Sequence, residues 1–272
     1  SVDAAREQSE CNRLSIEWFE QRLAAAQMQI EKDFAAYRIS DALLVAYRLF
    51  WDEFSGWLLE MVKPAYGDAI DECTLKAVKS IFERLMQMLH PFMPFLTEEI
   101  WQDIAERKEG ESICVSEVKV AVEADEKLLA RFELAKEVIS AVRNVRKQKN
   151  LPNKDALTLK VIVDENYPAE YEAVIKKMAN LTEVERVEEK DATAAAFIVK
   201  TTQYFVPLGG LIDVEAERQK MGEELTYLEG FLASVMKKLS NERFVSSAPE
   251  KVVANERAKK ADAEAKIAAI KE

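Results

Sequence analysis

The chain has 272 residues, 49% of them hydrophobic, and a net charge of −11, which is room for two or three modules with a sizeable core. Only seven glycines are present; this argues against Gly-rich phosphate loops and against a β-barrel or sandwich, and the abundance of Leu, Ala, Glu and Lys favours helix. Cys11, Cys73 and Cys114 are odd in number and far apart, which fits reduced cytosolic thiols rather than a disulfide framework or zinc module, and no apolar run approaches the ~20 residues that span a membrane.

After a polar opening with no signal-peptide character, Leu14, Trp18, Leu23 and Ile30 recur at near-helical spacing between Asn12 and Phe34. A longer pattern starts at Ser40, which with Asp41 is expected to cap the helix and complement its dipole. It carries Leu43, Leu44, Tyr47, Phe50, Trp51, Phe54, Leu58 and Met61 and stops at Pro64. Trp51 and Trp57 cannot face one direction on such a helix, so one of them belongs at a joint or on the surface. A third helix is expected from Thr74 to Leu89, a fourth from Thr97, and a fifth from Glu126 to Lys149. Between the third and fourth, His90-Pro91 and Pro94 mark a corner. Five amphipathic helices with short joints predict a bundle over residues 1–150.

The texture changes at Leu151. "ALTLKVIV", "AAFIVK" and "TQYFVPL" read as strands, and "PAEYEAVIKKMAN" as a helix opened by Pro168. Residues 151–210 are thus expected to form a small α+β module of three or four antiparallel strands and one helix. From Leu211 the positions Val214, Met221, Leu225, Leu228, Leu232, Val235 and Leu239 make a heptad seam, interrupted once by Arg218. "SNERFVSSAP" breaks it and an alanine-rich helix returns. Residues 211–272 are therefore expected to form an antiparallel coiled-coil hairpin, a rod of roughly 35–40 Å. The fold class is mainly α.

No catalytic constellation can be assembled. One histidine excludes His-x-x-His metal sites and His-x-Gly-His nucleotide motifs, and there is no Gly-x-x-x-x-Gly-Lys loop. His90 itself reads as a helix end and Glu98-Glu99 as dipole complement. The charge is unevenly spread: residues 1–130 hold 14 basic and 25 acidic side chains, whereas residues 131–160 hold 8 against 3. In "AVRNVRKQKNLP" and just after it, Arg143, Arg146, Lys147, Lys149 and Lys154 gather with only Asp155 to offset them. Such a cluster suits a phosphate backbone, and equally a solvated helix end. Lys237, Lys238, Arg243, Lys251 and Arg257 gather towards the tip of the hairpin, a second candidate for electrostatic reach. A protein-interaction module, in which the thin hairpin pairs with another chain, is the alternative reading.

"WDEFSGWLLEMVKP" followed by "LHPFMPFLTEEIWQ" resembles the helical anticodon-binding domain of class I aminoacyl-tRNA synthetases of the valine, isoleucine and leucine group. "AVRNVRKQKNLP", "VPLGGLIDVEAE" and "KLSNERFVSSAPEKVV" are similar to the carboxy-terminal part of the valine-specific branch. The resemblance covers residues 12 to 272. It implies a tRNA-binding piece of a cytoplasmic, monomeric ligase, with the bundle on the anticodon stem-loop and the hairpin at the outer corner of a valine-specific tRNA. It further implies that ATP and Mg²⁺ serve catalytic and editing domains of the parent chain, which this piece lacks. It should be inactive alone, with no cofactor and no membrane partner of its own.

Overall fold

The computed structural model describes residues 1–119, 122–189, 194–208 and 214–240, together with Arg257 and Lys260. By its contacts the chain divides into two compact units, Ser1–Leu208 and Gly209–Glu272.

The first unit opens with a two-residue strand, β1 (Val2–Asp3), paired in parallel with β2 (Ile70–Asp71). Helix α1 (Glu10–Ala35) starts where the Ser9 hydroxyl accepts the Asn12 N–H, the usual N-cap solution for an orphan donor. Its Leu14, Trp18, Leu23 and Ile30 are all buried, as their spacing predicts. Helix α2 (Ile39–Arg48) begins one residue before the expected Ser40, and no side chain caps it. Asp41 lies inside the first turn and accepts from Arg38 at 2.7 Å, so it complements the dipole while the cap is absent.

Helix α2 then widens into a π-helical segment, Leu49–Leu58, before returning to α geometry in α3 (Leu59–Val62). The aromatic stripe divides there. Phe54, Leu58 and Met61 are buried, whereas Leu44, Tyr47 and Trp51 face solvent, Trp51 at 60% exposure. Trp57 is half-buried.

Helix α4 (Glu72–Leu89) is capped by Asp71, whose carboxylate accepts the Thr74 N–H at 2.7 Å. Helix α5 (Pro94–Ile104) starts at the proline rather than at Thr97. Proline is pre-set for the first helical position because its missing N–H would be unpaired there anyway. Thr97 sits one turn in, its hydroxyl donating to the Met93 carbonyl at 2.8 Å. Trp101 is buried and Ile100 packs beside the core. Helix α6 (Glu126–Gln148) is opened by Asp125, which accepts the Leu128 N–H.

The change of texture at Leu151 falls inside the first unit. Strands β3 (Leu157–Ile162), β4 (Leu181–Arg186), β5 (Ala195–Val199) and β6 (Thr202–Val206) form one sheet in the order β4-β3-β6-β5. The sheet is mixed, not antiparallel throughout. β3 pairs with β4 in parallel across α7 (Glu172–Met178), while β6 is antiparallel to both β3 and β5. A parallel neighbour requires a crossover, and α7 supplies it.

The bundle and the sheet share one core. An aromatic column crosses it: Phe82 stacks on Phe54, Phe54 meets Phe19 edge-on, and Phe19 meets Trp18 edge-on. Trp18 lies flat on Phe132 with centroids 4.4 Å apart, and Phe132 meets Tyr171 at 4.8 Å. Leu157, Leu159 and Val161 of β3 belong to the same buried cluster.

In the second unit, α8 (Val214–Leu239) has 26 residues, about 39 Å at 1.5 Å per residue. Val235 is buried and Leu232 and Leu239 are half-buried, while Tyr227, Phe231 and Met236 are exposed. That split follows the expected seam. The break and, apart from Arg257 and Lys260, the expected return helix lie outside the described residues, as does Phe244, and so therefore does the hairpin itself.

Candidate nucleic-acid interface

The five cations of the middle cluster sit at the C-terminal end of α6 and in the turn after it, and the fold sorts them into two kinds. Arg143, Lys147 and Lys154 are exposed and Lys149 is half-buried. Arg146 is 4% exposed. Its guanidinium points inward and donates to four carbonyls: Pro152 at 3.1 Å, Asp155 at 2.7 Å, Ala179 at 3.0 Å and Asn180 at 2.8 Å. Burial draws its pKa down, offset in part by the Asp155 carboxylate. With its donors committed to the backbone, Arg146 cannot serve as a phosphate contact, and the expectation that it would is corrected.

The physical reason is periodicity. Ala135, Val138, Ile139, Val142 and Val145 are the buried face of α6, and position 146 follows Val142 by four and Ile139 by seven, on that same face. The long arginine stem continues the apolar stripe, and its head meets carbonyls in the turn after α6 and just past the end of α7.

Arg143 lies beside that seam, not in it. One of its nitrogens donates to the Met178 carbonyl at 3.1 Å, also at the end of α7. Its guanidinium carbon stands 5.6 Å from the centre of the Trp57 ring, which Lys136 approaches from 5.1 Å. The half-buried tryptophan is thus flanked by two cations, a favourable arrangement over an aromatic face. Arg143, Arg146, Lys147, Asn153 and Asn180 line a depression of about 610 Å³ together with Leu151, Met178 and Ala179.

Elsewhere on the first unit most arginines are matched with acids, exposed Arg48 being the exception. Arg22 makes a fork on Glu53 at 2.6 and 2.5 Å, Arg84 pairs with Glu20, and Arg107 pairs with Glu83 while lying 3.5 Å over the Trp101 ring. Among the described residues Arg143, Lys147, Lys149 and Lys154 have no such acidic partner. They form a local positive surface on a molecule whose charge is otherwise negative.

On the second unit, Lys237 and Lys238 are exposed in the last turn of α8, and Arg257 is exposed and helical. Arg243 and Lys251 lie outside the described residues. What spacing alone did not disclose is the outward aromatic set on α2 and beyond, Tyr47 and Trp51 with Tyr37 and Phe95; the six-residue separation of the two tryptophans was its one signal. Among the described residues no group of three or more His, Cys, Asp or Glu side chains is placed to hold a metal, and no helix is long and apolar enough to cross a membrane.

The architecture is a helical bundle closed by a small sheet, with an open basic end of a chemistry that suits phosphate groups. The family model for the anticodon-binding domain of tRNA ligases matches residues 17–163, and the chain belongs to that family. The particular branch follows from the rest of the chain: residues 213–272 match the valyl tRNA synthetase tRNA binding arm. Along its full length the chain is 49% identical to the valine–tRNA ligase of Parabacteroides distasonis. Over 97% of its length it is 49% identical to that of Phocaeicola vulgatus, and over 94% it is 34% identical to that of Enterococcus faecalis. In each case it spans about 30% of the relative's length.

Proposed function

We propose that this chain is the tRNA-binding portion of a valine–tRNA ligase, with the bundle against the anticodon stem and loop and the arm at the outer corner of the tRNA. The observation that carries this reading is the set of four cations gathered at the end of α6 without acidic partners, on a surface where most other arginines are paired. Cations of this kind position RNA through its phosphates, while base reading needs groups that meet splayed bases. Valine specificity, the ATP- and Mg²⁺-dependent joining of valine to tRNA, and a cytoplasmic setting are assigned to the parent ligase, whose remaining domains lie outside this chain.

Nuclease footprinting and filter binding of tRNA on the chain test this. Protection is expected at the anticodon stem and at the outer corner, with affinity falling steeply as salt rises. Arg143→Glu together with Lys147→Glu should weaken binding about equally across tRNA species and lower the salt slope by ~1 per lost contact. Equal retention of tRNA and an unrelated acidic polymer would sink the reading.

A further inference from the structure

The only histidine in the chain does not stand alone. His90, at the end of α4, has Nε2 3.2 Å from Cys114 Sγ and Nδ1 2.7 Å from Thr97 Oγ1. The Thr97 hydroxyl has a single proton, and its donor contacts are backbone carbonyls, Met93 at 2.8 Å and Pro94 at 3.3 Å. With that proton on the Met93 carbonyl the hydroxyl accepts from His90 Nδ1–H, and in this tautomer of the neutral imidazole Nε2 presents its lone pair to the thiol. This is the ordering of nucleophile, base and orienting group that activates a weak nucleophile in general.

The cysteine is held in place by the turn around it. Cys114 lies in a single 3-10 turn, Ile113–Val115, with Ile113 buried beneath. Glu98 of α5 accepts from the Ser112 hydroxyl at 2.7 Å and the Ile113 N–H at 3.1 Å. Gln102 and these two donors, with the nearby His90, hold the Glu98 carboxyl below its ordinary range. From α4, Gln87 donates to Ser116 Oγ at 2.9 Å and to the Glu117 carbonyl at 3.2 Å. Both helices that frame His90 therefore also fix the turn that carries Cys114. Cys114 is exposed.

We propose that Cys114 is a modification site, a thiol with its base built in, which exchanges with low-molecular-weight disulfides. As Cys114 Sγ attacks one sulfur of the disulfide, its proton passes to His90 Nε2. A new S–S bond forms to Cys114 and the old one breaks. The displaced sulfur leaves with the electron pair and takes the proton back from the imidazolium, so Cys114 is oxidised to a mixed disulfide and one small thiol is released.

Cys73 is the internal control, since it too is exposed and has no histidine. The chain is treated with glutathione disulfide at pH 7, and the modified fraction at each cysteine is followed by peptide mass spectrometry. Cys114 should form the mixed disulfide at least about tenfold faster than Cys73. In His90→Gln its rate should fall to that of Cys73, with the Cys73 rate unchanged as a report that the fold is intact. Equal rates in the unaltered chain overturn the proposal, and so does a Cys114 rate indifferent to His90→Gln. A His90→Gln chain in which Cys73 also changes is replaced by His90→Asn, read by the same two criteria.

Discussion

Helix α6 has two halves with similar side chains and different surroundings. In the first half, Phe132, Ala135, Val138 and Ile139 are buried between α1 and the sheet, and the two cations nearest them are matched. Arg131 grips Glu170 with two bonds at 2.7 and 2.8 Å, and Lys136 pairs with Glu133 at 3.1 Å. In the second half Arg146 is consumed by four carbonyls, while Arg143 and Lys147 keep their charge towards solvent. A basic side chain serves the scaffold when the fold offers it a matched acceptor. Where the fold offers none, the charge remains available for an anion from outside.

The largest expected effect tests the first half. Phe132→Ala removes a ring that lies between Trp18 and Tyr171, and should cost about 4 kcal/mol of stability, read as a lowered urea midpoint. A loss under about 1 kcal/mol would mean that bundle and sheet do not share this core. Next comes the contrast within the second half. Arg146→Ala removes the arginine donor from four carbonyls, one of them (Ala179) buried and three part-buried, and should cost about 3 kcal/mol, whereas Lys147→Ala should stay within about 0.5 kcal/mol. Similar losses for the two would erase the distinction between scaffold arginine and surface cation.

The smallest effect concerns acid. The Arg131 fork, working against burial, holds the Glu170 carboxyl below its ordinary range. A carboxyl whose pKa is lowered on folding adds stability above its unfolded value, about 4.3, and loses it as pH falls through the lower folded value. The stability drop between pH 5 and pH 3 should therefore be smaller in Glu170→Gln than in the unaltered chain. Identical drops would show that the pair is screened by solvent.

Periodicity made α1, α4 and α6 legible because each buries one stripe against the same core. It failed where two signals competed or where the signal was not local. Pro94 and Thr97 both announce a helix start, and the proline won because its fixed φ suits the first turn. "LTEVER" carries three charges in six residues and hides a strand, since β4 buries only Leu181 fully. Its parallel direction depends on the crossover, which no two-residue period encodes. The charge count along the chain located the basic cluster but could not separate Arg146 from its neighbours; the stripe from Ala135 to Val145 could have, had the arginine been counted as part of it. His90 reads as a helix end from its prolines, and only the folded turn at Ile113–Val115 brings a cysteine from 24 positions away to its ring.

The aromatic column sets a timetable. Trp18 is synthesised long before Phe132, and Tyr171 comes 39 residues after it. At roughly 5–20 residues per second on the ribosome, Phe132 waits about 2 to 8 seconds before the ring that covers its other side exists. For that interval the Phe132 ring can stack on Trp18 while its Tyr171 side has no cover. The unit from Ser1 to Leu208 is then complete only when its last strand, β6, is in place beside β3, so a nascent chain stalled before that point holds a core with one wall missing.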